Sequence, residues 1–168
     1  AKAIHDVTGG LTNTFSFKGF EFSVLLSFQF GGNLFDYPGY FTHHDGLRMS
    51  VFNLAADVAD NYWTEAGDEV DNPLPIYSNS LRPDKWSTRH IKSTDNVRIR
   101  ELALRYSFPK AMMSSINVER LSLFFKTNNL AFVWRETDGI DPDVPLNGYR
   151  TVDTPVSKTF QFGLSVDF

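Results

Sequence analysis

The chain has 168 residues and a mass of 19.1 kDa, the size of one domain. It contains no cysteine, which excludes a disulfide framework and thiolate-bound metal, and its net charge of -4 argues against nucleic acid as a partner. No apolar run reaches the roughly 18 residues of a membrane helix, and no basic-then-apolar leader opens the chain.

Aromatic residues make up 15% of the chain, 16 of them Phe, while mean hydropathy is -0.25 and charged residues reach only 21%. Aromatic bulk mixed with Ser, Thr, Asn and Asp suits β-structure, in a membrane barrel at least as well as in a soluble sandwich. The first predicted strand, about 10–17, sets Leu11, Phe15 and Phe17 against Thr12, Thr14 and Ser16. The second, 20–30, places Phe20, Phe22, Val24, Leu26, Phe28 and Phe30 on one face and Glu21, Ser23, Leu25, Ser27 and Gln29 on the other. The apolar parity switches across Lys18-Gly19. A two-residue hairpin loop demands that switch, because it pairs Phe17 directly with Phe20.

A long connection follows, about 31–96. It carries Phe35, Tyr37, Tyr40, Trp63, Tyr77 and Trp86, and the prolines Pro73, Pro75 and Pro83. The third strand, 97–108, alternates Leu102, Leu104, Tyr106 and Phe108 with Ala103, Arg105 and Ser107, yet Val97 and Ile99 have the opposite parity. Two explanations are open. A bulge sits near Arg100-Glu101, or the strand has left the membrane there and Arg98 and Arg100 point outward among lipid headgroups. The fourth strand, 118–127, sets Leu121, Leu123 and Phe125 against Arg120, Ser122, Phe124 and Lys126. A second long connection spans 128–157 and includes Trp134. The last strand, 158–168, alternates Phe160, Phe162, Leu164, Val166 and Phe168 with Thr159, Gln161, Gly163, Ser165 and Asp167.

The connections thus run short, long, short, long. Tight turns on one side and large loops on the other are the pattern of an outer-membrane barrel, and strands of about 9–11 residues match a tilted crossing. The expected fold is all-β, with antiparallel transmembrane strands whose Phe-rich face meets lipid and whose polar face meets the lumen. The alternative is a soluble, secreted, carbohydrate-binding β-sandwich in which the Phe-rich face packs a core.

No catalytic constellation stands out. His43-His44-Asp45 could suggest a metal or an acid–base group, but neighbours on extended chain point to opposite sides and no third ligand is spaced for them. Asp68-Glu69-Val70-Asp71-Asn72 has the composition of a calcium loop without its spacing, and reads as a solvated acidic loop. Asp141-Pro142-Asp143 reads first as a turn. No metal, cofactor or enzymatic activity is expected, and a glycan-cleaving enzyme is disfavoured for want of a convergent carboxylate pair.

The loop aromatics look most functional, since aromatic faces beside polar side chains suit sugar stacking. Trp63, Tyr77 and Trp86 are the candidates for ligand or partner contact. For Trp63 and Trp86, internal packing of the loop is the stronger reading. For Phe35, Tyr37 and Tyr40 an interfacial aromatic belt is.

Four motifs in order resemble a known family. Gly9-Gly10-Leu11-Thr12-Asn13-Thr14-Phe15-Ser16-Phe17-Lys18-Gly19-Phe20 resembles the GG.TNTF.YKGF run of SusC/RagA-type TonB-dependent outer-membrane transporters. Val97-Arg98-Ile99-Arg100-Glu101-Leu102-Ala103-Leu104-Arg105-Tyr106-Ser107-Phe108-Pro109 is similar to its LRLRNLTLGYTLP, with Glu101 where Asn is usual. Asn128-Asn129-Leu130 with Gly139-Ile140-Asp141-Pro142-Asp143 is similar to its NL…G.DPE, with Asp143 where Glu is usual, and the strand ending at Phe168 fits its carboxy-terminal strand.

The resemblance implies that residues 1–168 are the carboxy-terminal part of a TonB-dependent receptor β-barrel, the last five or so strands of a barrel of about 22. Its long extracellular loops would lie at about 31–96 and 128–157. The plug domain, TonB box and leader would precede this segment and are absent from it. Five strands cannot close a barrel without leaving open edges in lipid, so a piece of a longer chain, or one of several chains completing a barrel, is expected.

The whole transporter would import oligosaccharides or peptides across the outer membrane of a Bacteroidetes-like bacterium. Its partners would be the rest of the barrel with its plug, a SusD-like surface lipoprotein, TonB acting through the plug, membrane lipid, and the barrel-assembly machinery through Phe168.

Overall fold

The structure is a computed structural model that describes residues 2–79, 86–113, 118–143, 147–152 and 154–168. Pro83 lies outside the described residues. Two compact units are present. One holds His5–Gly31, Thr94–Asp143 and Pro155–Phe168, and the other Ala1–Ile4, Gly32–Ser93 and Val144–Thr154.

The first unit is a 5-stranded antiparallel sheet built from β1 (Val7–Phe17), β2 (Phe20–Phe30), β5 (Asn96–Ser107), β6 (Arg120–Arg135) and β8 (Thr159–Asp167), side by side in that order. Each strand neighbours the next one along the chain within the sheet, as in an up-and-down barrel wall. The β1–β2 hairpin pairs Phe17 with Phe20. Both turn residues take positive φ, Lys18 at 46° and Gly19 at 87°, the combination that a type I′ turn requires. Gly19 could not be replaced cheaply, because a Cβ there would press to 2.6 Å from the Ser107 carbonyl oxygen.

The register carries one apolar row across the whole sheet: Phe15 opposite Phe22, Phe22 opposite Leu104, Leu104 opposite Phe125, and Phe125 opposite Phe162. No described residue of this unit covers this face. Phe15 is 63% exposed, Phe162 80% and Leu164 58%, and in this unit Met113 and Ile140 alone are buried apolar side chains among the described residues. A soluble sandwich would hide that row under a second layer, so the sandwich reading fails here. The opposite face is polar. Thr14 lies 3.3 Å from Ser23, and Lys126 pairs with Glu101 at 2.7 Å.

The parity break in the third predicted strand is a bulge. On β2, Leu25 and Leu26 are consecutive, yet their β5 partners are Glu101 and Ile99, so Arg100 is the extra residue. The bulge returns Val97 and Ile99 to the apolar face alongside Leu102 and Leu104. The outward course for Arg98 and Arg100 is thereby overturned, because both turn to the polar face.

The fourth strand runs farther than its sequence pattern suggested. It continues through Asn128-Asn129-Leu130, which resembles a loop start, to Arg135. A compensating irregularity opposite Ile99–Glu101, with Asn129 at φ 52°, absorbs the polar pair without ending the ladder. The second long connection therefore begins near residue 136 rather than 128.

The second unit carries its own small elements. β3 (Asn33–Asp36) pairs antiparallel with β4 (Ile91–Ser93) and parallel with β7 (Tyr149–Arg150). α1 (Tyr37–Thr42) follows β3 directly, with Pro38 in its first turn where a missing N–H costs nothing. Short 3-10 turns lie at Ala56–Val58 and Thr88–His90. Leu34, Tyr40 and Val58 are buried. The remaining helix, α2 (Lys110–Met113), belongs to the short connection between β5 and β6.

Candidate functional site

Two clusters concentrate the chemistry of the chain, one in each unit. In the sheet unit the bulge turns Arg98 and Arg100 to the polar face. Arg98 donates through Nη2 to Asp141 Oδ2 at 2.7 Å and through Nη1 to Asp143 Oδ2. Arg100 forms a fork on Asp143, at 2.6 and 2.8 Å, while its Nε donates to Ser27 Oγ at 2.9 Å. The Arg98 guanidinium also stacks 4.0 Å over the ring of Phe132, its cross-strand partner. Arg98 is 4% exposed.

Burial alone would raise the Asp143 carboxyl. The hydrogen bonds and charge of Arg100, aided by Arg98, outweigh it and hold the group below the ordinary carboxylate range. Asp141 also accepts the Asp143 backbone N–H at 3.1 Å. The Asp-Pro-Asp segment is thus a turn, and both of its carboxylates are spent on arginines of the wall. The sequence reading missed this pairing. Its signal was present, since Arg-x-Arg places two like charges on one side of a strand and Asp-x-Asp keeps two carboxylates close together in the chain.

In the other unit the aromatic side chains of α1 and β3 gather. Phe35 lies 5.1 Å from Trp86, 5.8 Å from Tyr149 and 5.9 Å from His90, and Tyr40 lies 5.3 Å from His90 and 6.2 Å from Trp86. Arg48 caps the other side of Tyr40, its guanidinium 4.9 Å from the ring and its Nη2 donating to the hydroxyl at 2.7 Å. Tyr40 is therefore buried and Phe35 half-buried within this unit, because α1 follows β3 without a break and folds Tyr40 inward. His90 is 3% exposed, and burial lowers its pKa to about 4, so the ring is neutral at pH 7.

The three candidate contact residues part company here. Trp86 packs against Phe35, Tyr40 and Tyr149, yet keeps 60% of its surface exposed. Trp63 is held through its backbone N–H, which donates to the Asn72 carbonyl at 2.9 Å, while its side chain is 44% exposed. Tyr77 is 70% exposed. No ring contact among the described residues joins the three. Trp134 lies in β6 opposite Val97, on the apolar face, 6.2 Å from Phe30.

His43, His44 and Asp45 have separate partners. His43 Nε2 meets Asp57 at 3.0 Å. The buried His44 accepts the Gly46 N–H at Nδ1, which leaves Nε2 protonated to donate to the Phe52 carbonyl. Asp45 Oδ1 accepts the Leu47 N–H. Asp68 closes a local turn by accepting from Thr64 Oγ1, Thr64 N and Glu65 N, and these bonds lower its pKa. No group of three metal-ligating side chains occurs among the described residues.

No family model matches the chain. Along 98% of its length it is 26% identical to TonB-dependent receptor P39 of Formosa agariphila, of which it spans 16%. Its fold matches solved structures of the RagAB peptide importer. The TM-score is 0.82 at 23% identity for the open-open state, covering 99% of this chain and 17% of that one. For a second RagAB peptide transporter structure it is 0.78 at 24% identity, covering 96% and 17%. The motif resemblance is thus borne out, in sequence by a TonB-dependent receptor and in fold by the RagAB importer.

Proposed function

We propose that this chain forms part of the wall of an outer-membrane TonB-dependent nutrient importer of the SusC/RagA type, its apolar face toward lipid and its polar face toward the lumen. The observation that carries the reading is the uncovered apolar row running from Phe15 to Phe162 across an otherwise polar antiparallel sheet. Water does not tolerate so large an apolar surface, whereas a transmembrane barrel requires it. The edges of β1 and β8 are completed by further strands of the barrel, about 22 in all, and Phe168 serves as its assembly signal.

The transported material is an oligosaccharide or peptide. A SusD-like lipoprotein docks on the loop unit that carries Trp63, Tyr77 and Trp86, and TonB acts through a plug outside this segment. The protein binds and passes its substrate without altering it. In the encoded full-length protein, outer-membrane fractionation and heat-modifiable migration in gels are the test. A full-length protein that is soluble without detergent would overturn the proposal.

A further inference from the structure

Residues 136–143 lie against the polar face of the sheet and are tied down along their length. The Glu136 N–H donates to the Asp95 carbonyl at 3.0 Å, and Asp95 Oδ1 in turn accepts the Gly31 N–H at 2.6 Å. Arg135 pairs with Asp138 at 3.0 Å. Ile140 is buried, 6% exposed. At the far end Asp141 and Asp143 hold Arg98 and Arg100. These ties reach β5 and β6, so the segment bridges neighbouring strands rather than hanging from one.

We propose that residues 136–143 are a fixed strap that the Arg98/Arg100 bulge clamps onto the lumenal face of the wall, where it narrows the passage. The proposal rests on the barrel reading above for which face is lumenal. The bulge is what makes the clamp. A regular strand in step with Leu102 would put Arg98 and Arg100 on the apolar face and Ile99 on the polar one. The inserted residue satisfies both the apolar row and the paired cations.

The fork of Arg100 on one carboxylate restricts orientation as well as distance. Two acidic groups set against two basic ones neutralise the Arg98/Arg100 pair, so it does not attract an anionic substrate. A carboxylate arriving in a substrate would compete against two that are already tethered in place. Displacement is therefore disfavoured, and the strap acts as a constriction rather than as a ligand site.

This segment has no cysteine, so with any cysteines elsewhere in the full-length protein replaced, a spin label placed at Glu136→Cys reports on the strap from an exposed residue whose tie, a backbone N–H bond, the substitution keeps. In full-length transporter in its outer membrane, the label should give a broad, motion-restricted spectrum. Asp141→Asn with Asp143→Asn should sharpen it while heat-modifiable migration is retained, and should raise the sensitivity of cells to a bulky antibiotic. A folded double variant with an unchanged spectrum would overturn the strap, and unchanged antibiotic sensitivity would overturn the constriction.

If the double variant does not assemble, Asp143→Asn alone keeps the Arg98–Asp141 pair and should sharpen the spectrum partly. No sharpening there also counts against the proposal. Absence of heat-modifiable migration in the unsubstituted protein would instead sink the barrel reading, and leaves the label comparison standing.

Discussion

Phe124 and Gly163 stand opposite each other in the β6–β8 ladder, and the Phe124 ring occupies the space that a side chain at 163 would take. The same relation recurs on the other face, where the Phe28 ring lies over Gly9. A glycine weakens a strand, and a ring laid across it restores the missing contact. Gly163→Val should therefore destabilise the assembled barrel by about 1–3 kcal/mol through overpacking, read as a lower urea midpoint for the full-length protein. An unchanged midpoint would mean that the ring swings aside freely.

Leu164 and Ser165 are adjacent and face opposite ways. Leu164 pairs with Leu123 on the apolar face, and Ser165 pairs with Ser122 on the polar face. Leu164→Arg should cost roughly 2–4 kcal/mol if it sits near the bilayer midplane, and Ser165→Arg far less. Folding titrations in vesicles measure both. Equal costs would show that the two faces do not differ in solvent.

How much of this was legible follows from what each signal depends on. The β1–β2 hairpin was fully readable, because Phe17, Lys18, Gly19 and Phe20 specify its register locally. The parity break between Ile99 and Leu102 announced an irregularity but left two courses open. The choice between them was made by Asp141 and Asp143, residues more than forty positions away that pull Arg98 and Arg100 to the polar face. The end of the fourth strand was misplaced because Asn128-Asn129 has turn chemistry, and only its pairing with β5 shows that the ladder absorbs it. Among the loop aromatics, Phe35 and Tyr40 could not be assigned to an interior from sequence, since their partners Trp86, His90 and Tyr149 are distant in the chain. Trp134 looked like a loop residue for the same reason that the strand seemed to end early.

His90 makes the loop unit sensitive to acid. Its pKa is lowered to about 4, first by burial and then by the charges of Arg89 and Lys92, against the opposing pull of Asp36. The unfolded ring binds a proton near pH 6.5, so between about pH 6.5 and 4 the unfolded state holds more protons than the folded one. The stability that neutral His90 contributes is complete above pH 6.5. It is lost as pH falls toward 4, by up to about 3 kcal/mol at 1.36 kcal/mol per pKa unit. Hydrogen exchange of residues 33–42 and 88–93 in the full-length protein should accelerate across that window, and His90→Gln should flatten the dependence. A profile that is the same in both proteins would assign the acid response to other groups.

Trp63 and Trp86 divide the roles that loop tryptophans can play. Trp86 is anchored by Phe35, Tyr40 and Tyr149, so Trp86→Ala removes packing as well as exposed surface, and a loss of binding in that variant alone is ambiguous. Trp63 has no ring partner among the described residues, and its backbone tie to Asn72 survives truncation. An effect of Trp63→Ala on binding therefore cannot be traced to lost ring packing. Exposed tryptophans that become buried in an interface commonly contribute more than 1 kcal/mol each. In the full-length transporter the double change should weaken association with a SusD-like lipoprotein about tenfold or more and lower uptake, while barrel assembly is retained. Tyr77→Ala, at a side chain that is 70% exposed, should add to the loss if it shares the docking surface. Lipoprotein binding and uptake that stay unchanged in the double variant would leave Trp86 as packing for the loop unit and Trp63 as a solvent-exposed side chain without a contact role.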